Sequence, residues 1–194
     1  MRLAVAAMLA AGTIAASACG SDADRGVAAP RRGAGGAQAG AASAASAGLV
    51  GHARLEAFVP KVAGWRAGPV AAADVALPAP ASHVRATFTS ASAQIDLELT
   101  DTGGDPAYVQ ALSTVAGTDF HQEAPNGYMK GTTVAGFPAV EQFNHNDQLA
   151  EVTVLINRRF IVHASGSGIA GIAPVQEFVS HIDLGGIGAL RPPG

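Results

Sequence analysis

The sequence predicts an α+β domain in which two or three helices flank an antiparallel sheet of about six strands. Several short runs of residues alternate between apolar and polar, which is typical of half-buried strands. The connections between these runs are short and polar, whereas parallel strands need a crossover of about a dozen residues. Apolar residues recur at helical spacing in three places, so the expected order is α, ββ, α, ββββ, α.

The domain is expected to span residues 49–190 and to begin with a short helix. Five apolar residues at helical spacing precede Pro60 and predict a helix of about ten residues; they are Leu49, Val50, Leu55, Phe58 and Val59. A turn follows Pro60, and residues 74–82 with Pro78 and Pro80 are expected to form a loop.

A hairpin and a helix are predicted next. Val84, Ala86 and Phe88 alternate with polar residues, and after a break at 90–92 the same alternation returns at Ile95, Leu97 and Leu99. These two runs predict an antiparallel hairpin. Asp105 and Pro106 are typical of a helix N-cap and first turn. The apolar residues of that helix are Tyr108, Val109, Leu112, Val115 and Ala116.

The second half of the domain predicts four more strands and a last helix. The four β-favouring runs are 127–135, 138–144, 148–156 and 159–164. The last helix is expected to start near Pro174 and to bury Val175, Phe178, Val179 and Ile182. Residues 191–194 are left as a short tail.

The N-terminus has the three parts of a secretory signal peptide, expected to cover residues 1–18. Arg2 is positive, an apolar run follows, and the small residues Ala16, Ser17 and Ala18 precede Cys19. The apolar run is too rich in alanine and too interrupted to predict a membrane span. Cys19 is the single cysteine of the chain, which excludes an internal disulfide.

The context of Cys19 resembles the lipobox of bacterial lipoproteins, with Ala16 where that motif usually carries Leu. The resemblance implies that the Cys19 thiol carries a diacylglycerol group, with palmitate among the fatty acids, and that the protein is held in the cell envelope, facing the periplasm or the outer surface. An ordinary signal peptidase would cut the same bond after Ala16-Ser17-Ala18 and leave Cys19 unmodified. Both alternatives predict an exported protein.

Residues 19–48 are expected to be a disordered tether behind the lipid anchor. This segment is dominated by Ala, Gly and Ser and offers almost no apolar surface to bury. A flexible chain of this length reaches roughly 30 Å. The order of elements over residues 49–190 resembles the Mog1/PsbP-like sandwich; the resemblance implies a fold and carries over no functional residue.

The composition argues against a nucleic-acid partner. Residues 49–194 contain 8 Lys or Arg and 13 Asp or Glu, a formal charge of −5, whereas nucleic acids select clustered cations. Aromatic residues make up only 5% of the chain, so the core is expected to be built from small aliphatic side chains.

Two short strings resemble chemical motifs. Residues 166–171 read G-x-G-x-x-G, but a dinucleotide-binding unit needs a further parallel strand that the remaining chain cannot supply, so a strand-to-helix connection is expected. Asp101-Thr102-Gly103 resembles the active-site loop of aspartic proteases, which would require a dimer contributing two copies of Asp101. The other interpretation is that Asp101 ends a strand and Asp105 caps the next helix.

The six histidines do not predict a metal site, because no two of them have the spacing that places two ligands on one strand or helix. They are His52, His83, His121, His145, His163 and His181. His121 could meet Glu123 on an extended segment, and His145 could meet Asp147 in a hairpin. Ser167 lacks the frame of a nucleophile elbow.

No catalytic, cofactor-binding or metal-binding residue is therefore predicted, and lipidation at Cys19 is the one predicted site. The leading hypothesis is a lipid-anchored, non-enzymatic binding or accessory domain of the cell envelope, with Trp65 and the Asn157-Arg158-Arg159 turn as candidate contact residues. Trp65 is also a candidate core residue. The alternatives are a carrier with an apolar pocket between sheet and helices, and a dimeric hydrolase that uses Asp101.

Overall fold

The computed structural model describes residues 48–76 and 79–193. The expected signal peptide, Cys19 and residues 20–47 of the expected tether lie outside the described residues, as does Pro78. The described residues form four helices: α1 (His52–Glu56), α2 (Pro106–Ser113), α3 (Ala173–Ser180) and α4 (Leu184–Ala189). They also form nine strands: β1 (Arg66–Ala67), β2 (Ala71–Val75), β3 (Ala81–Thr89), β4 (Gln94–Asp101), β5 (His121–Ala124), β6 (Gly127–Val134), β7 (Phe137–Asn144), β8 (Leu149–Ile156) and β9 (Phe160–Ser167).

The nine strands form one sheet in the order β1-β3-β4-β9-β8-β7-β6-β5, and β2 also pairs with β3. Every pairing is antiparallel. Strand β9 lies between β4 and β8, so the hairpin β3–β4 joins the meander β5–β9 through the central strand pair β4–β9. The short polar turns of the sequence account for the meander, because such turns connect antiparallel neighbours.

Strands β1 and β2 lie end to end along the outer edge of β3. Ala67 is opposite Phe88 and Ala71 is opposite Arg85, so three residues of the edge face two residues of β3. This extra residue is a β-bulge that contains Pro69, and the Gly68 N–H keeps a hydrogen bond of 2.7 Å to the Thr87 carbonyl. The two strands are therefore one edge row broken at residues 68–70.

The core lies on one face of the sheet, where α1, α3 and α4 pack. Alternate side chains of β3, β4, β8 and β9 are buried there together with Leu55, Val175, Phe178, Val179 and Ile187. Phe178 contacts Phe88 and Trp65 edge to face, with ring centroids 4.7 Å and 6.0 Å away. Each fully buried Val, Leu, Ile or Phe side chain contributes about 1.5–3 kcal/mol to the free energy of unfolding.

Helix α2 and the turn after it cover only part of the other face. The carbonyls of Val115 and Thr118 would come within 2.4 Å and 2.3 Å of a Cβ atom at residue 131, so Gly131 permits this turn to lie directly on β6. Helix α2 contacts β8, and its Val109 is buried. The same face of β3, β4 and β9 carries solvent-accessible polar side chains.

The α+β class is confirmed, and so are the β3–β4 hairpin, the α2 cap, the strands β6 to β9 and helix α3. The expected counts of about six strands and of two or three helices are wrong, since the described residues contain nine strands and four helices. Every residue of the missed strands β1, β2 and β5 is exposed, so they have no alternation to detect, and β2 is largely alanine. Helix α4 was not predicted because three of its six residues are glycines, which are poor helix formers.

The first helix is five residues long instead of about ten. Gly51 has a φ angle of 82°, which is outside the helical region, so Leu49 and Val50 lie before the helix. The Val50 N–H donates instead to Asp101 at 2.7 Å. Leu49 and Val50 are nevertheless buried, as expected for the apolar residues of this segment.

Candidate functional site

The candidate site is the part of the sheet that no helix of the described chain covers. Side chains alternate between the two faces of a strand, so the residues between the core positions of β3, β4, β8 and β9 point to the opposite side. We call this surface the open face and define it by twelve residues: His83, Arg85, Thr87, Gln94, Asp96, Glu98, Thr100, Glu151, Thr153, Ile161, His163 and Ser165. Thr100 is buried, and the other eleven are accessible to solvent.

The open face is polar and negatively charged. It holds one cation, Arg85, and three carboxylates, Asp96, Glu98 and Glu151, so its formal charge is −2 while both histidines are neutral. Ile161 is the one apolar side chain among the twelve. A surface of this composition favours hydrogen bonds and charge pairing over apolar contact.

Glu98 lies at the centre of a hydrogen-bonded cluster on this surface. Its carboxylate pairs with Arg85 Nε at 3.1 Å and lies 3.0 Å from His83 Nδ1. The same His83 nitrogen lies 3.1 Å from the Thr100 hydroxyl. Burial by itself would raise the pKa of Glu98, but the hydrogen bonds and charges of His83 and Arg85 outweigh it and lower the pKa to about 2. Glu98 is therefore ionised at every physiological pH.

The other side chains in the row of Glu98, and those in the next row across the strands, are also held by hydrogen bonds. His163 is directly opposite Glu98, its Nδ1 lies 2.9 Å from the Thr153 hydroxyl, and its Nε2 lies 3.7 Å from Glu151. In the next row the Thr87 hydroxyl donates to Asp96 at 2.6 Å, and the Gln94 amide donates to the same carboxylate at 2.8 Å. Paired side chains lose less conformational freedom when they bind a partner, so the surface is partly preorganised.

This arrangement is suited to recognition. A general acid at neutral pH needs a raised pKa, whereas the pKa of Glu98 is lowered. Among the described residues there is no group of three His, Cys, Asp or Glu side chains placed to hold a metal ion. What the open face offers is an array of fixed donors and acceptors on a rigid sheet.

Asp101 is placed on the core side of the sheet, at the end of β4. Its side chain is fully buried and forms a two-pronged pair with Arg159, with Nε–Oδ1 at 2.8 Å and Nη2–Oδ2 at 2.9 Å. The backbone N–H groups of Val50 and Gly103 donate to the same carboxylate at 2.7 Å and 2.9 Å. Each carboxylate oxygen thus accepts two hydrogen bonds. All four come from Arg159 or from backbone N–H groups, and not from a second aspartate as in an aspartic-protease pair.

Through these hydrogen bonds Asp101 connects the start of the domain, at Val50, to the β8–β9 turn, at Arg159. Arg159 also donates from Nη2 to the Gly48 carbonyl at 2.8 Å. A hydrolase with two shared aspartates would have to break the Arg159 pair in both subunits. The interpretation in which Asp101 ends a strand and Asp105 caps α2 agrees with the geometry, since the Asp105 carboxylate accepts from Ala107 N–H at 2.8 Å.

A second buried carboxylate, Glu141, lies on the core side of β7. Its carboxylate accepts hydrogen bonds from Lys130 Nζ at 2.7 Å, from the Gln176 amide at 2.6 Å and from the Tyr128 hydroxyl at 3.4 Å. Burial and the Glu141 charge raise the pKa of Tyr128. Sequence reasoning missed this cluster, although Glu141 stands in a run whose alternate positions are core residues.

The remaining motif residues have structural surroundings. The Gly166–Gly171 string begins in β9 and continues into the connection before α3; a Cβ atom at residue 166 would come within 2.3 Å of Ile169 and 2.7 Å of Val175. Gly166 therefore permits close packing of that connection. The expected meeting of His121 with Glu123 is confirmed at 3.1 Å on β5. His145 packs against the Phe143 ring, while Asp147 accepts from Asn144.

The two candidate contact regions differ in accessibility. Trp65 is half-buried against Phe178, so it is mainly part of the core. In the β8–β9 turn, Arg159 is engaged by Asp101, and the Asn157 side chain donates to the Gly188 carbonyl at 2.9 Å. Asn157 and Arg158 are both exposed, whereas Arg159 is half-buried.

An open depression of about 420 Å³ lies at the end of the sheet near Asp101. It is lined by Gly48, Leu49, Pro80, Thr102, Gly103, Gly104, Asp105 and Pro106. The carrier hypothesis expected a pocket between sheet and helices, and this depression is at the sheet end instead.

The chain matches no known protein-family model, and no significant similarity was found to a curated protein or to a solved structure. The likenesses to the bacterial lipobox and to the Mog1/PsbP-like sandwich therefore stay predictions. None of the described helices has the length and apolar character needed to cross a bilayer.

Proposed function

We propose that this chain is an exported, lipid-anchored binding module of the cell envelope and that the open face is the surface that contacts its partner. In this proposal Cys19 carries the lipid, residues 20–48 form the tether, and the sheet domain acts without catalysis. The observation that carries the proposal is the charged, preorganised face that α2 leaves uncovered.

The partner is a protein of the envelope whose contact surface is cationic or rich in hydrogen-bond donors. Three carboxylates against one arginine give the open face a negative formal charge, which favours such a partner electrostatically. The low pKa of Glu98 supports this reading, because that charge persists in any envelope environment. A tether of roughly 30 Å would let the domain reorient while it stays close to the membrane.

The anchor is tested by the intact mass of the protein extracted from membranes. A chain that starts at Cys19 and carries a diacylglycerol with one or more acyl groups is expected, and a Cys19→Ser variant is expected in the soluble fraction. An unmodified thiol in the wild-type protein would remove the anchor from the proposal and leave the open face to be tested separately.

The open face is tested by placing a photo-reactive amino acid at Ser165 in the envelope-bound protein. A single cross-linked partner is expected from Ser165, and no such product is expected from a matched probe at Gln110, which is exposed on α2. Equal cross-linking from both positions, or none from Ser165, would count against the open face as the contact surface.

A carrier of small apolar molecules is the second candidate, and the depression near Asp101 favours it. Its volume lies within the range of about 300–1,000 Å³ typical of ligand pockets, and Leu49, Pro80 and Pro106 supply apolar lining. Native mass spectrometry of the envelope-purified protein tests it. A mass that equals the processed chain with its covalent lipid alone would reject the carrier.

A further inference from the structure

The two edges of the sheet differ in the side chains that protect them. At one edge, β5 carries His121, Gln122 and Glu123 and is followed by Pro125, a composition that discourages pairing with another strand. At the other edge, all five residues of β2 are exposed and three of them are alanine. Among the described strands only β3 pairs with β2, so the other side of β2 presents backbone donors and acceptors beside small apolar side chains.

The two exposed large apolar residues of the described chain flank this strand. Val70 and Val75 are each 37% exposed and lie immediately before β2 and at its end. The one charged residue of β2 is Asp74, whose carboxylate is held by the His52 N–H and His52 Nδ1, both at 3.0 Å. Asp74 therefore does little to block the edge.

Only part of this edge is blocked by the fold. The bulge at residues 68–70 contains Pro69, which has no N–H to donate, so pairing cannot extend along β1. The stretch that stays available is Ala71–Val75. Its length limits any added strand to about five residues.

We propose that the partner of this edge is a second copy of the chain, paired antiparallel through β2 about a two-fold axis at Ala73. In this register Ala71 is opposite Val75 of the other copy, and Ala72 is opposite Asp74, so no two carboxylates face each other. We call the contact between the two β2 strands the seam. The strand is self-complementary because its alanines allow the two backbones to approach closely, while Val70 and Val75 cover both ends of the seam. A two-fold axis closes the assembly at two copies.

The contact area of the seam is small, so the dimer is expected on the membrane and not in dilute solution. A stable interface needs more than about 1,000 Å², which a five-residue strand pair does not bury, so the dimer is weak in dilute solution. Copies held on one membrane have a much higher effective concentration, which favours a weak contact. In this respect the inference rests on the proposed lipid anchor.

The pairing has a consequence for the open face. A two-fold axis through an antiparallel strand pair runs perpendicular to the sheet, so both copies keep α1, α3 and α4 on the same side. The two open faces then join into one surface across the β2 seam. A partner would meet two negatively charged faces, and binding both at once would increase its apparent affinity.

The test is oxidative cross-linking of an Ala73→Cys variant of the full chain in its membranes. Residues opposite each other in an antiparallel pair have Cα atoms about 4.5–5.5 Å apart, which is within the reach of a disulfide. A disulfide-linked dimer is expected. An Ala72→Cys control is expected to stay monomeric, because in this register Ala72 faces Asp74 of the other copy, and an Ala124→Cys control on β5 is expected to stay monomeric as well.

The other outcomes distinguish failure of the pairing from failure of the anchor. Equal dimer from Ala72→Cys and Ala73→Cys would indicate random collision, and a cross-link to a different protein would assign the edge to a foreign strand. Membrane-bound protein without any cross-link would reject the pairing while the anchor stands; soluble protein would reject the anchor, and the pairing is then tested at high protein concentration. An Ala73→Lys change, which sets two cations opposite each other, is expected to abolish a non-covalent dimer detected by chemical cross-linking while the circular dichroism spectrum stays unchanged.

Discussion

The Asp101→Asn substitution tests the structural role assigned to the most buried charge pair among the described residues. The carboxylate presents two oxygens, and each accepts one hydrogen bond from Arg159 and one from a backbone N–H. Asparagine retains only one oxygen, and its NH₂ group would face two donors. Arg159, with a side chain that is 19% exposed, would also lose its counter-charge.

Breaking one side of a buried pair of this kind costs about 3–5 kcal/mol. We take about 3 kcal/mol, since Arg159 keeps some contact with water and its bond to the Gly48 carbonyl. For a domain of this size 1 kcal/mol shifts the melting temperature by about 2–4 °C, so a fall of roughly 6–12 °C is expected.

The assay is urea unfolding followed by far-ultraviolet circular dichroism, with thermal unfolding beside it. Asp105→Asn is the matched control, because Asp105 accepts one backbone N–H at a helix start and asparagine caps a helix as well as aspartate does. The control is expected to change stability by less than about 0.5 kcal/mol. An Asp101→Asn protein as stable as its Asp105→Asn counterpart would refute the reasoning and reopen a chemical role for Asp101.

Three further predictions follow from the buried and paired groups. Because the folded-state pKa of Glu98 is lowered from 4.5 to about 2, its contribution to stability is complete above pH 4.5 and is lost as the pH falls toward 2; urea titrations at several pH values are expected to show this loss, and a Glu98→Gln variant is expected to show a flatter profile. Gly166→Ala is expected to destabilise by about 1–3 kcal/mol by overpacking Ile169 and Val175, whereas Gly171→Ala, with open space around its Cβ position, is expected to change stability by less than about 0.5 kcal/mol; equal effects on unfolding would contradict the packing account of the glycine string. In a Tyr108→Phe background, spectroscopic titration of Tyr128 is expected to give a lower pKa after Glu141→Gln, and an unchanged pKa would show that the Glu141 charge does not contribute.

The parts of the fold that the sequence predicts are those with one buried face. Strands β3, β4, β8 and β9 show alternation because the helices on the core face exclude water from one side of them, whereas β6 is recognisable only by its β-favouring composition. The edge strands β2 and β5 are exposed on both faces, so burial leaves no periodic trace in their sequences. Helix α4 forms because Leu184 and Ile187 are buried and the Asp183 carboxylate accepts from Gly186 N–H at 2.8 Å, which offsets the cost of its glycines.

The candidate site was visible in the sequence only in part. His83, Arg85 and Glu98 are recognisable as the polar half of an alternating pattern, but their pairing depends on the register of β3 against β4. The pair Thr153 and His163 could have been found by counting outward from the Asn157-Arg158-Arg159 turn. Asp101 and Arg159 are 58 residues apart, and no local pattern links them.

The most direct test of the central claim is the affinity of the cross-linked envelope partner, once purified, for a Thr87→Arg/Ser165→Arg variant. These two residues lie in one row on either side of Asp96, so the double change adds two large cations to the open face without touching the core. We expect the affinity to fall by at least about tenfold, or roughly 1.4 kcal/mol, relative to the matched Gln110→Arg variant. Equal affinity for the two variants would contradict the assignment of the open face as the binding surface.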